Sequence, residues 1–249
     1  TVALRDLNLQ LRAGDLLGLV GPNGAGKTTA LRAMAGLQAM TAGRVRILGR
    51  DVTRECALAM PNVAFASDTP PLYDRLTVEE FLTFIGLSYG LDGNTIDERI
   101  GFWLEQLWLT ERRKDRVQTL SRGMRQRLAV ARTLLPHPPV ILLDEPAAGL
   151  DPAGRVSFRR LLCSLRDQGK AIVISSHILS DLHEYCTHIA IMSHGEVLQY
   201  GTVQQVVNGF ESPQCRYRVG LARPVDDILP RLADFTGLSN VQADREEIV

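Results

Sequence analysis

The chain has 249 residues, of which 45% are hydrophobic and 22% charged, and its 28 Lys and Arg residues balance 28 Asp and Glu residues. This length fits one large domain or one domain with a small appendage, and the composition excludes a disordered chain and favours a globular protein with an apolar core. A net charge near zero gives no electrostatic reason for nucleic acid as the main partner, and we expect none.

Cysteine spacing and hydropathy exclude further classes. The cysteines form no CxxC pair, so we expect neither disulfides nor a zinc site, and we expect the protein to lie in a reducing compartment. The four cysteines are Cys56, Cys163, Cys186 and Cys215. No apolar run approaches the roughly 20 residues that span a bilayer, and charges interrupt the first stretch, unlike in a signal peptide. We expect any membrane association to be peripheral. From the start at Thr1 and the strand-like end at Val249, we expect a fragment trimmed at both ends.

The first fifty residues alternate between strand and helix patterns. Apolar and polar residues alternate over 2–11, which predicts a half-buried strand, and again over 44–48. Between them, residues 15–20 form a short apolar strand that feeds a glycine-rich turn, and 27–37 are typical of a helix. These segments predict a strand–turn–helix unit beside a small antiparallel lobe.

Residues of about 70–135 are helical in character. A capping box of Thr77 with Glu80 precedes an apolar run, and Thr95 with Glu98 repeats the pattern. The pattern predicts a helical lobe over this part of the chain.

The second half returns to buried strands. Uninterrupted apolar runs at 140–143, 171–174 and 189–192 are typical of parallel strands buried on both faces, and a helix over 153–168 separates the first two. Strand, helix and strand at this spacing predict an α/β core with right-handed crossovers. The pattern loosens after about residue 208, where we expect a small appended α+β piece over 209–249.

A phosphate-binding motif lies between the second predicted strand and the first helix. The segment matches G-x-x-x-x-G-K-[ST]. Its glycines let backbone N–H groups point at phosphate oxygens, Lys27 places a charge on the β- and γ-phosphates, and the Thr28 hydroxyl is suited to ligate Mg²⁺. The predicted ATP-binding residues are Gly21, Pro22, Asn23, Gly24, Ala25, Gly26, Lys27, Thr28 and Thr29.

Two carboxylates follow the apolar run at 140–143. Because side chains of neighbouring strand residues point in opposite directions, Asp144 and Glu145 are expected to have different roles. We assign Asp144 to the Mg²⁺ shell and Glu145 to the base that orients the attacking water.

Further motifs give the chain a family resemblance. Residues 120–124 read Leu-Ser-Arg-Gly-Met ahead of a helix, 148–151 read Ala-Gly-Leu-Asp, and 175–177 read Ser-Ser-His. These three motifs resemble the signature, D-loop and switch histidine of the ATP-binding cassette (ABC) family. Their order along the chain, together with the phosphate-binding motif (the P-loop) at 21–28 and the apolar run that ends in Asp144 and Glu145, also resembles that family. The resemblance covers about residues 1–208 and implies a P-loop NTPase core with an antiparallel β lobe and a helical lobe.

The resemblance implies a site shared between two chains. Two cassettes stack head to tail, each ATP lying between the P-loop of one and the signature of the other, here Ser121, Arg122, Gly123 and Met124. It places the D-loop residues Gly149, Leu150 and Asp151 near the dimer seam and brings His177 to the γ-phosphate, so that the implied catalytic residues are Glu145, His177 and Lys27. The other histidines, His137, His183, His188 and His194, are read as ordinary core or surface residues.

The sequence departs from the family pattern at three positions. Arg122 and Met124 replace the usual first glycine and glutamine of the signature. Asp68 occupies the Q-loop position where a glutamine normally contacts Mg²⁺ and the attacking water. A carboxylate is a suitable Mg²⁺ ligand, so Asp68 either coordinates the ion or faces solvent in a loop; both interpretations stay open.

The implied function is that of an ATP-hydrolysing transporter subunit. The resemblance, closest to bacterial exporters, implies ATP and Mg²⁺ as cofactors, a second ABC ATPase subunit and integral membrane subunits as partners, and the cytoplasmic face of the membrane as the location. Apolar side chains that could receive the membrane partner are Leu72, Tyr73, Phe81 and Phe84. The alternatives are a soluble ABC ATPase without a transport role and a catalytically silent partner in an asymmetric dimer.

Overall fold

The computed structural model describes residues 3–69 and 71–209, which fold around a six-stranded sheet. The strands of this sheet and of a separate two-stranded hairpin, in chain order, are β1 (Leu16–Val20), β2 (Arg46–Ile47), β3 (Arg50–Asp51), β4 (Val63–Ala66), β5 (Val140–Leu143), β6 (Ala171–Ser176), β7 (His188–Ser193) and β8 (Glu196–Thr202). The helices are α1 (Lys27–Met34), α2 (Cys56–Ala59), α3 (Val78–Ser88), α4 (Gly93–Gln106), α5 (Arg122–Leu134), α6 (Pro152–Asp167), α7 (Leu179–Leu182) and α8 (Val203–Gly209). The predicted C-terminal piece lies, from residue 210 on, outside the described residues.

The large sheet has the spatial order β4-β5-β6-β1-β7-β8. All its neighbouring strands run parallel except β8, which pairs with β7 in antiparallel fashion. Every residue of β1 is buried, whereas β8 alternates between exposed and partly buried residues, as a strand at the sheet edge does. The α/β core predicted from the apolar runs is therefore confirmed.

Alternate residues of the strands divide the core into two layers. Leu16 and Ile172 belong to a layer that also contains Phe158 of α6 and buried residues of helices α3, α4 and α5. Their strand neighbours Leu17 and Val173 face the opposite side, where they pack with α1 and the β2–β3 hairpin. Because strand side chains alternate between faces, the two layers follow from the uninterrupted apolar runs of the sequence.

Helices α3, α4 and α5 form the predicted helical lobe. The capping box at α3 is present: the Glu80 amide donates to Thr77 Oγ1 at 3.2 Å, and the Thr77 amide donates to Glu80 Oε2 at 2.8 Å. The second predicted cap is wrong. Asp92 caps α4 and accepts a hydrogen bond from the Thr95 amide at 3.0 Å, because the helix begins three residues earlier than a Thr95 cap would place it.

The predicted strand over 2–11 is not found in its described part. Residues 3–11 lie in no strand of either sheet, and Asp6 has a φ of +50°, which interrupts an extended backbone. Alternation predicted burial correctly, since the leucines of this segment pack partly buried against the α1 side of the core while their neighbours are exposed. The antiparallel lobe consists of the short β2–β3 hairpin.

The length and apolar character of a helix determine whether it can cross a membrane. The longest helix in the described part of the chain, α6, has 16 residues and so extends about 24 Å, whereas a bilayer core is about 30 Å thick. Within residues 3–69 and 71–209, no helix combines the length and the apolar character that a membrane crossing requires.

Candidate nucleotide-binding site

Four neighbouring strands end at the same edge of the sheet, and each is followed by a predicted site segment. The glycine-rich loop follows β1, Asp68 follows β4, the two carboxylates follow β5, and His177 follows β6. A cleft of about 540 Å³ opens at this edge, as is usual for parallel α/β sheets. Its lining residues are Ala3, Asn23, Gly24, Ala25, Gly26, Lys27, Thr28, Thr29, Asp68, Asp144, Glu145, His194 and Gly195.

The glycine-rich loop has the backbone that a phosphate cradle requires. Gly24 and Gly26 have φ values of +83° and +102°, which side chains disfavour. Gly26 caps α1, so the helix begins at Lys27 with its first amides directed toward the cleft. Backbone N–H groups and the positive end of a helix dipole together form a site for anions.

Lys27 places a fixed positive charge inside the cleft. Its side chain is buried, and Nζ donates to the carbonyl oxygens of Gly21 at 2.7 Å and of Pro22 at 3.2 Å. Nζ also lies 3.8 Å from Glu145 Oε1. The lysine therefore joins the loop to the acidic strand end.

The two carboxylates lie on the same cleft, which corrects the expectation that they point in opposite directions. Strand β5 ends at Leu143, and Glu145 has a φ of +47°, so the alternation of an extended strand no longer applies. Asp144 is 1% exposed, whereas the Glu145 side chain is 21% exposed. The two carboxylates therefore differ in depth: that of Asp144 is enclosed, and that of Glu145 is within reach of solvent.

Ser175 completes this arrangement, although no motif of the sequence predicts a role for it. Its Oγ donates to Asp144 Oδ1 at 2.6 Å and accepts from the Glu145 amide at 2.9 Å. Because β5 and β6 are in register through Leu143 and Ile174, the next residue of each strand lies side by side. The sequence signal that could have predicted this role is a hydroxyl residue directly after an apolar run, in a strand next to the one that ends in two carboxylates.

The donor set fits Mg²⁺ in the presence of a nucleotide. Asp144 Oδ2 is buried and has no hydrogen-bond partner among the described residues, so one carboxylate oxygen remains available. In that same part of the chain, no group of three His, Cys, Asp or Glu side chains could hold a metal without further ligands. Mg²⁺ is usually bound by one or two carboxylates together with phosphates, so Asp144 with Thr28 at the cleft matches that pattern.

His177 and His194 approach the cleft from two other strands. His177 Nδ1 lies 3.0 Å from Glu145 Oε2, and its side chain is 56% exposed. His194, predicted to be an ordinary core or surface histidine, is exposed but lies at the cleft, in the β7–β8 turn. The Gly195 amide of that turn donates to the Ala25 carbonyl at 3.0 Å and so joins the turn to the glycine-rich loop.

Asp68 has features of both interpretations left open by the sequence. Its side chain is exposed, and Oδ1 accepts a hydrogen bond from the Thr69 amide at 2.7 Å. It nevertheless lines the cleft together with Asp144.

The predicted signature lies away from this cleft, since none of its residues is among the described lining residues. Ser121 caps α5 and accepts from the Met124 amide at 3.3 Å. Gly123 packs on the Gly149 carbonyl so closely that a Cβ would lie 2.9 Å from that oxygen. Asp151 caps α6 and lies 3.6 Å from Arg127. The signature therefore packs beside the segment that contains Gly149 and Asp151, in which Leu150 is buried.

Comparison with known proteins identifies relatives of the chain. A family model described as ABC transporter matches residues 4–148. The chain is 40% identical over 201 residues to the ABC transporter ATP-binding protein YhcH of Bacillus subtilis, covering 80% of this chain and 65% of that protein. It is 34% identical to the B. subtilis ABC transporter ATP-binding protein NatA, covering 86% and 88%. It is also 34% identical to the Nod factor export ATP-binding protein I of Cupriavidus pinatubonensis, covering 84% and 64%.

Solved structures show the same architecture. An ATP-binding subunit of an ABC transporter superposes with a TM-score of 0.78 at 29% identity, covering 84% of this chain and 87% of that one. The ATP-binding cassette MJ0796, described as a dimer in a post-hydrolysis state with ADP and Pi, superposes with a TM-score of 0.75 at 26% identity, covering 81% and 90%. The chain spans 65% and 59% of the length of two of its curated relatives. It belongs to the ABC transporter family and contains the ATP-binding domain of that family.

Proposed function

We propose that the chain binds ATP with Mg²⁺ and hydrolyses it to ADP and phosphate. The observation that carries the proposal is the convergence of Lys27, Asp144 and Glu145 on one cleft beside a glycine-rich loop. A buried cation, an enclosed carboxylate and a reachable carboxylate are the groups that phosphoryl transfer to water requires.

Each group has a role in the reaction. Amides of the glycine-rich loop and Lys27 bind the β- and γ-phosphates, while Thr28 and Asp144, with Asp68 as a further candidate, would hold Mg²⁺, which neutralises phosphate charge. Glu145 accepts a proton from water as the water oxygen bonds to the γ-phosphorus and the bond to the β,γ-bridging oxygen breaks. His177, at 3.0 Å from Glu145 Oε2, orients that carboxylate and supplies a hydrogen bond toward the γ-phosphate.

The site is completed by a second ABC ATPase subunit, identical or related. Support comes from the signature surface of Ser121 and Gly123, which lies outside the cleft of its own chain, and from the dimeric form of the MJ0796 cassette. In a head-to-tail pair, the N-terminus of α5 from one chain would face the γ-phosphate held by the other, with the Gly149–Leu150–Asp151 segment at the seam.

The test of this function is Mg²⁺-dependent phosphate release measured over a range of protein concentrations. Because two chains complete each site, we expect turnover to rise more steeply than in proportion to concentration below the dimer dissociation constant. Proportional turnover at every concentration would contradict the shared site, and the absence of both nucleotide binding and turnover would contradict the proposed function itself.

We further propose that the chain acts at the cytoplasmic face of a membrane, where it powers export by integral membrane subunits. The relative named for Nod factor export supports this direction. The docking surface lies on the helical lobe. Tyr73 and Phe84 are exposed there and pack edge to face with ring centroids 5.4 Å apart.

Two of the four predicted docking residues contribute less than expected. Phe81 is fully buried in the core, because it lies on the inner side of α3, and Leu72 is partly buried. The surface therefore consists of Tyr73 and Phe84, with the exposed Tyr89 on the C-terminal side of α3.

A half-buried arginine defines the chemistry of the partner at this surface. Arg132 lines a small pocket of about 150 Å³ together with Tyr89. Its guanidinium donates to the carbonyl oxygens of Phe65 at 3.3 Å and Pro71 at 3.2 Å, and no carboxylate of the described residues lies within ion-pair distance. Burial lowers the pKa of Arg132, and a partner carboxylate would compensate the enclosed charge. The occupant we propose is a helical segment of the membrane subunit that bears an acidic residue.

Phe84→Asp is expected to reduce co-purification with the membrane subunits at least about tenfold, because it places a like charge near the partner carboxylate and removes an aromatic contact. Phe102→Asp is the matched control, since Phe102 is 49% exposed on α4 of the same lobe but belongs to no part of this surface. Equal recovery of the membrane subunits with both variants would contradict the docking site.

For Asp68, we expect Asp68→Ala to raise the Mg²⁺ concentration that half-saturates phosphate release about tenfold, as loss of a group near a metal site does. Asp68→Asn distinguishes charge from shape, because it keeps the size of the side chain. Unchanged Mg²⁺ dependence in both variants would favour the solvent-facing interpretation of this residue.

A further inference from the structure

The Ser175 hydroxyl connects the two carboxylate positions of the cleft. The serine is 1% exposed at the end of β6, in the centre of the sheet. Its single hydroxyl proton is directed at Asp144 Oδ1, and its oxygen receives the Glu145 amide, so both groups are held through one atom.

This bridge determines which oxygen of Asp144 is available. With Oδ1 occupied by Ser175, Oδ2 is the oxygen that has no partner among the described residues, although it is buried. A carboxylate fixed through one oxygen presents the other in a defined direction. The same hydroxyl receives the amide of Glu145, whose φ of +47° directs its side chain into the cleft.

We propose that Ser175 is a positioning residue for the nucleotide site: it orients Asp144 toward Mg²⁺ and fixes the backbone from which Glu145 reaches the attacking water. This inference rests on the proposed ATPase function and adds a residue to it. Ser175 acts through these two neighbours, so its loss is expected to change metal dependence and turnover while the glycine-rich loop remains intact.

The experiment compares Ser175→Ala with a control that loses an equivalent hydroxyl elsewhere in the sheet. Thr187 Oγ1 accepts from the Leu16 amide at 2.9 Å and donates to its carbonyl at 3.1 Å, at the sheet edge opposite the cleft. Thr187→Val removes that hydroxyl at nearly constant volume. For wild type and both variants, the dissociation constant of a fluorescent ATP analogue is measured with Mg²⁺ and with EDTA, beside kcat, KM and the unfolding temperature.

Ser175→Ala is expected to reduce the gain in nucleotide affinity provided by Mg²⁺ about tenfold and to lower kcat more than it raises KM, with the affinity in EDTA unchanged. Ser175→Thr, which keeps a hydroxyl, is expected to restore the Mg²⁺ effect. Thr187→Val is expected to keep it while losing comparable thermal stability.

An unchanged Mg²⁺ effect in Ser175→Ala, with loss of stability alone, would overturn the positioning role. Equal changes in Ser175→Ala and Thr187→Val would do the same, because the effect would then be structural. A wild-type chain that binds no nucleotide would instead overturn the proposed function, so the two failures are distinguishable. If Ser175→Thr does not fold, the comparison of Ser175→Ala with Thr187→Val still tests the positioning role.

Discussion

Replacing Glu145 with glutamine is expected to lower the rate of phosphate release about 10²- to 10⁴-fold, the range associated with a positioned general base. Gln keeps the size of the side chain and a hydrogen-bond acceptor for His177, which lies 3.0 Å from Glu145 Oε2, but it cannot accept the proton of water. ATP binding is expected to persist because the phosphate-binding loop and Lys27 are unchanged. Single-turnover phosphate release at saturating Mg²⁺ and ATP measures the chemical step directly.

The matched control is Glu111→Gln, which makes the same chemical change at an exposed position of the helical lobe. We expect the rate of that variant to equal wild type. A Glu145→Gln rate within threefold of wild type would show that the Glu145 carboxylate is not the general base.

Lys27→Met is expected to weaken ATP binding by about 10- to 150-fold, the affinity equivalent of a charge-assisted hydrogen bond of about 1.5–3 kcal/mol. Met fills most of the lysine volume but carries no charge for the β- and γ-phosphates. It also leaves Glu145 without the ammonium group that lies 3.8 Å from Oε1, so turnover is expected to fall further than affinity. Equilibrium binding of a fluorescent ATP analogue measures the affinity.

Lys170→Met provides the comparison for this variant. Lys170 donates to the His137 carbonyl at 3.1 Å and precedes β6, at the opposite end of that strand from the cleft. We expect its ATP affinity to equal wild type. Equal affinity in both variants would show that the loop amides, without Lys27, bind the phosphates.

The elements of the fold that follow from local patterns could be predicted from the sequence. The apolar runs of β5, β6 and β7 and the Thr77 capping box depend on neighbouring residues only, and each lies where the pattern indicates. The meeting of the predicted site segments at one cleft also follows from local patterns, because motifs that follow parallel strands lie at one edge of the sheet.

The remaining features depend on contacts between distant parts of the chain. Alternation over residues 2–11 marks which side chains are buried, but a strand also needs a partner, and residues 3–11 pair in neither sheet. The direction of Glu145 depends on its φ of +47°, which no side-chain pattern encodes. The role of Ser175 arises from the register of β5 with β6, two segments about 30 residues apart.

The positive φ of Glu145 lowers folding stability at the residue that the proposed activity requires. A left-handed conformation costs an ordinary L-residue about 1–2 kcal/mol, and glycine adopts it almost without cost. A glycine at this position would therefore relieve local strain while it removes the carboxylate that we propose as the catalytic base. Selection of variants for heat resistance alone would favour that change and, on the proposed function, enrich inactive proteins. ATP turnover must therefore be screened together with stability.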